Sequence, residues 1–324
     1  MRWGVPAKVD VAMATYNHAA YIRQAMDSVI AQQTDFHVRL VVGDDCSTDG
    51  TQEIIREYAE RYPGRVEAVL SSEHAGFPSA RSVVRRIFQR CTAPFLALLD
   101  GDDYWTDPSK LARQVAILHK NPEVALVFHP AVVRDEHGGR EQPQLLGPLQ
   151  IKDRYTLDDL IEQIAVIPTN SVLYRNLHSG RFPDWVWTVP LLDFALHALH
   201  ALHGPAAYLR EPLSAYRVHG GAFWAVRARE ARIRDSIGVY RTLGRKLQLT
   251  DRPAYGHTLA RMHLTLASDL RGLGRRRAAA WATAVAGYID PSLLRGPVLE
   301  GLIACLPWTP HSGFGRLLFR KPPV

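Results

Sequence analysis

The sequence predicts an α/β protein with a mainly parallel central sheet flanked by helices, extended at its C-terminal end by helices alone. Three observations carry this. Up to about residue 130, short apolar runs alternate with amphipathic stretches of helical period, the pattern of βαβ units. Polar, turn-forming segments follow several of these runs, as expected at strand ends. From Val226 onward only helical spacing is found.

Residues 9–13, 38–42, 66–70, 95–99 and 124–128 are short apolar runs and read as buried strands. Between them, residues 20–31, 51–62, 79–90 and 109–118 read as helices. The second helix opens on Ser47-Thr48-Asp49-Gly50-Thr51, whose side-chain oxygens suit the unpaired amides of a helix start. Residues 134–150 are polar and rich in turn formers, so they read as a loop or an excursion from the sheet. The pattern resumes with a helix at 157–164, a strand at 171–174, a helix at 191–203 and a strand at 207–209. Ile233, Ile237, Tyr240, Leu243 and Leu247, then Leu259, Met262, Leu266, Leu270 and Leu273, keep spacings of three and four and predict two amphipathic helices. The chain therefore divides into residues 1–225 and a basic, mainly helical region at 226–324.

Composition narrows the possibilities. With 324 residues, 47% of them hydrophobic, the chain has ample material for a core and is not disordered as a whole. Cys46, Cys91 and Cys305 lie far apart, which excludes a disulfide framework and a cysteine-based zinc site and fits a reducing, cytoplasmic setting. The first six residues lack the apolar stretch of a signal peptide, and the uncharged run at 278–289 is shorter than the roughly 20 residues that span a bilayer. The net charge of +7 is uneven: residues 1–220 hold 22 Lys+Arg against 26 Asp+Glu, and residues 221–324 hold 17 against 6. Such asymmetry separates a chemical role from contact with an anionic partner.

The densest acidic cluster, Asp100-Gly101-Asp102-Asp103, follows directly on the apolar run 95–99. In an open parallel sheet ligands bind beyond the carboxyl ends of strands, where these carboxylates fall. Three carboxylates so close repel one another without a cation, and oxygen ligands suit Mg2+ or Mn2+ bridging a diphosphate. A solvated acidic turn is the competing reading. A second acidic turn, Gly43-Asp44-Asp45-Cys46-Ser47-Thr48-Asp49-Gly50, follows the second strand, and Thr15-Tyr16-Asn17-His18 follows the first. The latter offers an aromatic face and backbone amides to a base, whereas the former could be only an Asx-rich helix start. Their recurrence on successive strands argues for one shared site.

In order, spacing and context, Thr15-Tyr16-Asn17, the segment from Gly43 to Thr51, Ala80-Arg81 and Leu99-Asp100-Gly101-Asp102-Asp103 resemble the family 2 glycosyltransferases of the GT-A fold. The resemblance covers residues 8 to about 220 and implies a nucleotide-binding part at about 8–130 and an acceptor-binding part at 131–225. It implies that Thr15, Tyr16 and Asp45, with the adjoining Asn17, hold base and ribose, and that Arg81 lies near base and phosphates. Asp100, Gly101 and Asp102 match the DxD motif, the first carboxylate toward the ribose and the last toward the metal; Asp103 is a neighbour able to take the metal instead. Asp193 matches the catalytic base of inverting members, with Leu192 where a Glu is usual, although a carboxylate at a helix start also serves as a cap. His219, in Tyr216-Arg217-Val218-His219, matches a histidine that completes the metal site. Asn170, Trp185, Trp187 and Trp224 are candidates to wall an acceptor, with core packing as the alternative. His197, His200 and His203 read as a partly exposed polar stripe rather than a metal site.

The function implied is metal-dependent, inverting transfer of a sugar from a nucleotide-diphosphate sugar, with uridine the favoured base, to a hydroxyl of a glycan, lipid-linked or small-molecule acceptor. A sugar nucleotidyltransferase would carry a Gly-rich, basic phosphate loop after its first strand, and residues 15–19 are not one. Nucleic acid is not an expected partner, because the positive charges are scattered over amphipathic helices without a recognised motif. The basic tail, including Arg275-Arg276-Arg277, suggests peripheral contact with anionic membrane, a solvated face or a homodimer contact.

Overall fold

The computed structural model describes residues 8–74, 81–136, 141–144, 151–162, 167–220 and 228–293. The first half runs β1 (Val9–Thr15), α1 (Ile22–Ile30), β2 (Val38–Asp44), α2 (Thr51–Arg61), β3 (Val66–Leu70), α3 (Arg81–Arg90), β4 (Phe95–Asp100), β5 (Tyr104–Trp105) and α4 (Lys110–Lys120). There follow β6 (Leu126–Phe128), β7 (Ala131–Asp135), β8 (Glu141–Gln144), β9 (Arg154–Tyr155), α5 (Leu157–Glu162) and β10 (Leu173–Arg175). The chain continues with α6 (Leu192–Ala201), β11 (Ala206–Tyr208), β12 (Ser214–Val218), α7 (Arg229–Lys246), α8 (Pro253–Gly272) and α9 (Arg276–Ile289).

An eight-stranded sheet has the order β3-β2-β1-β4-β10-β6-β11-β9. β3, β2, β1 and β4 are parallel neighbours, while β10 lies antiparallel between β4 and β6. Side chains alternate across this sheet and build one core on each face. Val9, Val11 and Met13 of β1, Leu40 and Val42 of β2, and Ala97 and Leu99 of β4 pack with Ile22, Met26, Ile55, Leu111 and Leu118 of α1, α2 and α4. Val41, Leu96 and Leu98 face the other way, onto Val83 and Ile87 of α3 and onto α5 and α6. Ile237, Tyr240, Leu243, Met262, Leu266 and Leu270 join this second core, so the C-terminal helices share it with the sheet rather than forming one of their own. Of the apolar positions that predicted these helices, Ile237, Tyr240, Leu243, Leu259, Met262, Leu266 and Leu270 are buried, Ile233 and Leu247 are partly buried, and Leu273 is exposed.

A second sheet, of order β5-β12-β7-β8, was not legible from the sequence. Part of the segment read as a loop or an excursion from the sheet is strand: β7 ends at Asp135 and pairs antiparallel with β8. These strands are short, β8 is mostly polar, and β7 is also paired by β12, which arrives some 80 residues later and runs parallel to it. β12 also pairs with β5, directly after the acidic turn, and so ties residues 214–218 to the end of β4.

Candidate active site

The carboxyl ends of β1, β2 and β4 lie side by side, because Thr15 is in register with Asp44 and Ala14 with Asp100. Their closeness needs a glycine at position 101. A Cβ there would meet Thr15 Cβ and Oγ1 at 2.8 Å and Ile22 Cδ1 at 2.9 Å, inside contact distance. Gly101 N–H donates to Ala14 O at 2.9 Å and draws the acidic turn over the end of β1.

The loops after β1 and β2 are laced together, and much of their polarity is spent in doing so. Asn17 N–H donates to Ser47 Oγ at 2.7 Å, while Asn17 Oδ1 accepts from Thr48 N–H at 2.9 Å. Asp44, fully buried, accepts from Ser47 N–H at 2.8 Å and Gln52 Nε2 at 2.7 Å. Asp49 accepts from Ala19 N–H at 2.9 Å and Thr51 N–H at 3.1 Å, so the first amide of α2 is capped from one residue outside Gly50, whose φ is 97°. Asn17 and Cys46 also take left-handed backbone angles, φ 53° and 62°, which for non-glycine residues usually marks a loop held by its surroundings. Beyond this lacing, Tyr16 is 40% exposed and stacks on His74 with centroids 4.3 Å apart, and Asp45 Oδ2 lies 3.0 Å from His74 Nδ1. Tyr16, Asp45 and His74 thus form an aromatic and acidic corner beside Thr15. Arg81 opens α3; its side chain, like residues 75–80, lies outside what the structure describes.

The acidic turn separates its carboxylates by role. Asp103 is buried: Oδ2 accepts from Asn170 Nδ2 and Oδ1 from Arg217 N–H, each at 2.9 Å. Asn170 is itself fully buried, donates to Ala215 O at 3.1 Å, accepts from Ser214 Oγ at 2.8 Å, and receives Trp105 Nε1 on its backbone oxygen at 2.9 Å. Asp102 points elsewhere, with Oδ2 3.1 Å from His219 Nε2 and 3.7 Å from His18 Nε2. Among the described residues two triads offer ligand atoms all within 4.8 Å of one another: His18, Asp102 and His219, and Asp100, Asp102 and Asp103. Since both Asp103 oxygens already accept N–H groups, Asp102 with its imidazoles is the donor set best fitted to a divalent cation. Burial, then the charges of Asp102 and Asp193, push Asp100 up to about 8. Asp103 is pushed well above the usual carboxylate range by burial and by Asp102 and Asp100, with Arg217 N–H and Asn170 pulling it back. Burial lowers His18 below its ordinary value, against the opposing pull of Asp102.

Arg217 is a residue whose place in this site the sequence did not announce. It is 5% exposed; its guanidinium bonds Glu136 at 2.8 Å, the backbone oxygen of Asp102 and Gln24, and lies 4.5 Å from the Tyr104 ring centroid. With its N–H on Asp103, it clamps β12 to the turn. His18 was likewise visible only as part of a polar loop.

Asp193 sits in the first turn of α6, half-buried, accepting from Thr169 Oγ1 at 3.0 Å and Phe194 N–H at 2.8 Å. Thr169 is followed directly by Asn170, which bonds Asp103, so Asp193 is tied to the underside of the acidic turn. The acceptor candidates fare differently. Asn170 braces Asp103 from below, and Trp187 is buried against Phe88 and Phe182, so neither presents an acceptor wall. Trp185 is half-buried against the core, and Trp224 lies outside the described residues. The histidine stripe is also corrected: His197 and His200 are buried, with Tyr174 OH 2.6 Å from His197 Nδ1 and the Tyr174 ring stacked on His200 at 4.1 Å. They are core residues because α6 lies under the sheet face that carries Tyr174.

Known proteins give this architecture a place. Residues 10–180 match the family model described as Glycosyl transferase family 2. Uncharacterized protein Rv1520 of Mycobacterium tuberculosis is 38% identical over 220 residues, 67% of this chain and 60% of its own length. The uncharacterized glycosyltransferase alr2836 of Nostoc is 28% identical over 230 residues, 66% of this chain and 65% of its own. The chain thus spans about 60% of the length of the curated relatives it matches first. Among solved structures, S. aureus TarS in complex with UDP-GlcNAc superposes with a TM-score of 0.64 at 18% identity, covering 92% of this chain and 89% of that one. The mannosyltransferase PcManGT from Pyrobaculum calidifontis, in complex with GDP-Man and Mn2+, gives 0.53 at 19% identity, covering 99% and 85%. At these identities the likeness concerns the fold, which is that of the GT-A glycosyltransferases. Because the family match spans more than half the chain and contains all three strand-end loops, the chain belongs to glycosyl transferase family 2.

Proposed function

We propose that the protein is a metal-dependent, inverting glycosyltransferase that moves a sugar from a UDP-sugar to an acceptor hydroxyl. One observation carries the reading: Asp102 with its imidazoles and the Tyr16–Asp45 corner lie at one end of the sheet, and Asp193 is linked to the same turn through Thr169 and Asn170, all from segments far apart in sequence. In this reading Tyr16 offers its ring face to the base, and Asp45 and Thr15 contact base and ribose. Asp100 and Gly101 lie toward the ribose, and Arg81, at the start of α3, lies toward the phosphates. Asp102 and His219 hold Mn2+ or Mg2+, which when bound supplies positive charge to the departing diphosphate. The clamp through Asp103, Asn170 and Arg217 keeps the turn in place without touching donor.

Asp193 takes the proton of the acceptor hydroxyl as its oxygen bonds to the anomeric carbon and the bond from that carbon to the diphosphate breaks. Attack from the face opposite the leaving group inverts the centre. Thr169, donating to Asp193 Oδ2, holds the carboxylate in one orientation. Uridine is favoured because TarS was solved with UDP and with UDP-GlcNAc, whereas PcManGT was solved with GDP-Man. Thermal stabilisation by a panel of nucleoside diphosphates, with and without Mn2+, tests the donor. Stabilisation by UDP that needs Mn2+ is expected; indifference to every nucleotide would overturn the reading.

The acceptor is proposed to be a cell-surface glycan, a lipid-linked intermediate or a small molecule. Contact with an anionic membrane draws support from α9, which opens on Arg276 and Arg277 and carries Trp281 and Tyr288 57% and 89% exposed. Among the described residues no helix is long and apolar enough to cross a membrane. Co-sedimentation of the full chain with anionic but not neutral vesicles is expected, and equal partition would reject that contact.

A further inference from the structure

We propose that His18 is a third protein ligand to the metal, giving a donor set of two imidazoles and one carboxylate with Asp102 and His219. This inference rests on the reading just given and concerns which ion the site selects. The His18 backbone is fixed on both sides: its N–H donates to Thr51 Oγ1 at 3.0 Å, and its carbonyl accepts from Tyr21 and Ile22 at 2.8 Å as α1 begins. Its side chain is 15% exposed, with Nε2 facing Asp102 Oδ2, while Nδ1 is buried with no hydrogen-bond partner among the described residues. The His18 and His219 rings stand edge to face, 6.1 Å between centroids at 86°, so two imidazoles approach one carboxylate oxygen from different directions.

Ligands bound at right angles to an ion by bonds of roughly 2.1 Å lie about 3 Å apart. The nitrogen-to-Asp102 separations of 3.1 and 3.7 Å are close to that spacing. Nitrogen donors favour first-row transition ions, whereas Mg2+ prefers oxygen and water. Three protein ligands would still leave a first-row ion able to accept oxygens of a donor diphosphate. The site therefore takes Mn2+ or Co2+ in preference to Mg2+, and takes it before the nucleotide arrives.

The test is Mn2+ titration of the full chain without nucleotide, following free Mn2+ by electron paramagnetic resonance, with pulsed measurements counting coordinated imidazole nitrogens. Wild type is expected to bind Mn2+ without UDP, to show two imidazoles and to resist displacement by equimolar Mg2+. His18→Gln should bind at least about tenfold more weakly and show one, since even outer-shell partners are worth 10–100-fold. The wild-type count needs no variant and stands even if His18→Gln misfolds. A single imidazole in wild type, or unchanged affinity in His18→Gln, overturns the proposal. If His18→Gln weakens UDP but not Mn2+, His18 is a phosphate contact and the proposal fails. Binding of Mn2+ only with UDP and through one imidazole sinks this inference and leaves the proposed function standing; no Mn2+ binding under either condition sinks both.

Discussion

Asp102 and Asp103 are chemically identical neighbours, and exchanging each for its amide separates them. Both Asp103 oxygens accept N–H groups, from Asn170 and from the Arg217 backbone, in a buried site. An asparagine there has one acceptor and must turn its NH2 toward one of these donors. One hydrogen bond to a charged group, worth roughly 1.5–3 kcal/mol, is lost, and a buried N–H left without a partner costs about 1–3 kcal/mol. Part of each is recovered by relaxation, so Asp103→Asn is expected to destabilise the protein by about 2–4 kcal/mol. Among the described residues the Asp102 side chain pairs with two imidazoles, with which an amide can pair in either tautomer, and it lies within 4.8 Å of the Asp100 and Asp103 carboxylates, whose repulsion an amide relieves. Asp102→Asn should therefore leave the metal-free protein at least as stable as wild type and abolish Mn2+ binding. The assay is urea unfolding of metal-free protein followed by circular dichroism, with Mn2+ binding measured on the folded fraction. Wild-type stability combined with loss of metal in Asp103→Asn would refute the assignment of bracing to Asp103 and binding to Asp102.

Asp193→Asn should lower transfer by roughly 10²–10⁴-fold while leaving UDP affinity within twofold, about the scale of general-base catalysis; parallel loss of both would remove Asp193 as the base. Its fold cost is small, because the Thr169 hydroxyl can turn to accept from the new amide. Gly101→Ala places a methyl 2.8 Å from Thr15 and should cost about 1–3 kcal/mol and weaken UDP binding as β1 and β4 are forced apart; a wild-type melting temperature would show the strand ends to be looser than described. Burial lowers His197 to about 4 and His200 to about 3. Between the unfolded value near 6.5 and those values the unfolded chain binds more protons, so stability falls as pH drops, by up to about 1.4 kcal/mol per pH unit per histidine. Urea melts at pH 7 and pH 5 measure this, and His200→Phe should reduce the slope; an unchanged slope would rule out its share.

The strands β1 to β4 and the helices between them were legible because each carries its signal locally, in period and composition. The same holds for the strand-end loops, whose Asp, Asn and Thr residues stand out after apolar runs. The four strands of the second sheet were not legible, since they are short, two to five residues each, and β12 pairs with β7 from far along the chain. Asn170 was singled out as a contact for acceptor, yet it lies beneath the turn; only the pairing of β12 with β5 reveals the buried space it fills. Arg217 and His18 were visible as letters without a task, because their partners are the backbone oxygen and the carboxylate of Asp102.

By itself, then, the order of residues determined the main sheet with its flanking helices, the end of that sheet at which the polar loops gather, and the family to which those loops are similar. The tertiary structure decided which carboxylates are available. Asp44, Asp49 and Asp103 look no different in sequence from Asp102, but they are consumed by hydrogen bonds within the loops or across 67 and 114 positions of chain. The reason is the cost of burying polar groups. A carboxylate taken out of water must be paired, and whether a partner is waiting depends on distant strands that no local pattern encodes.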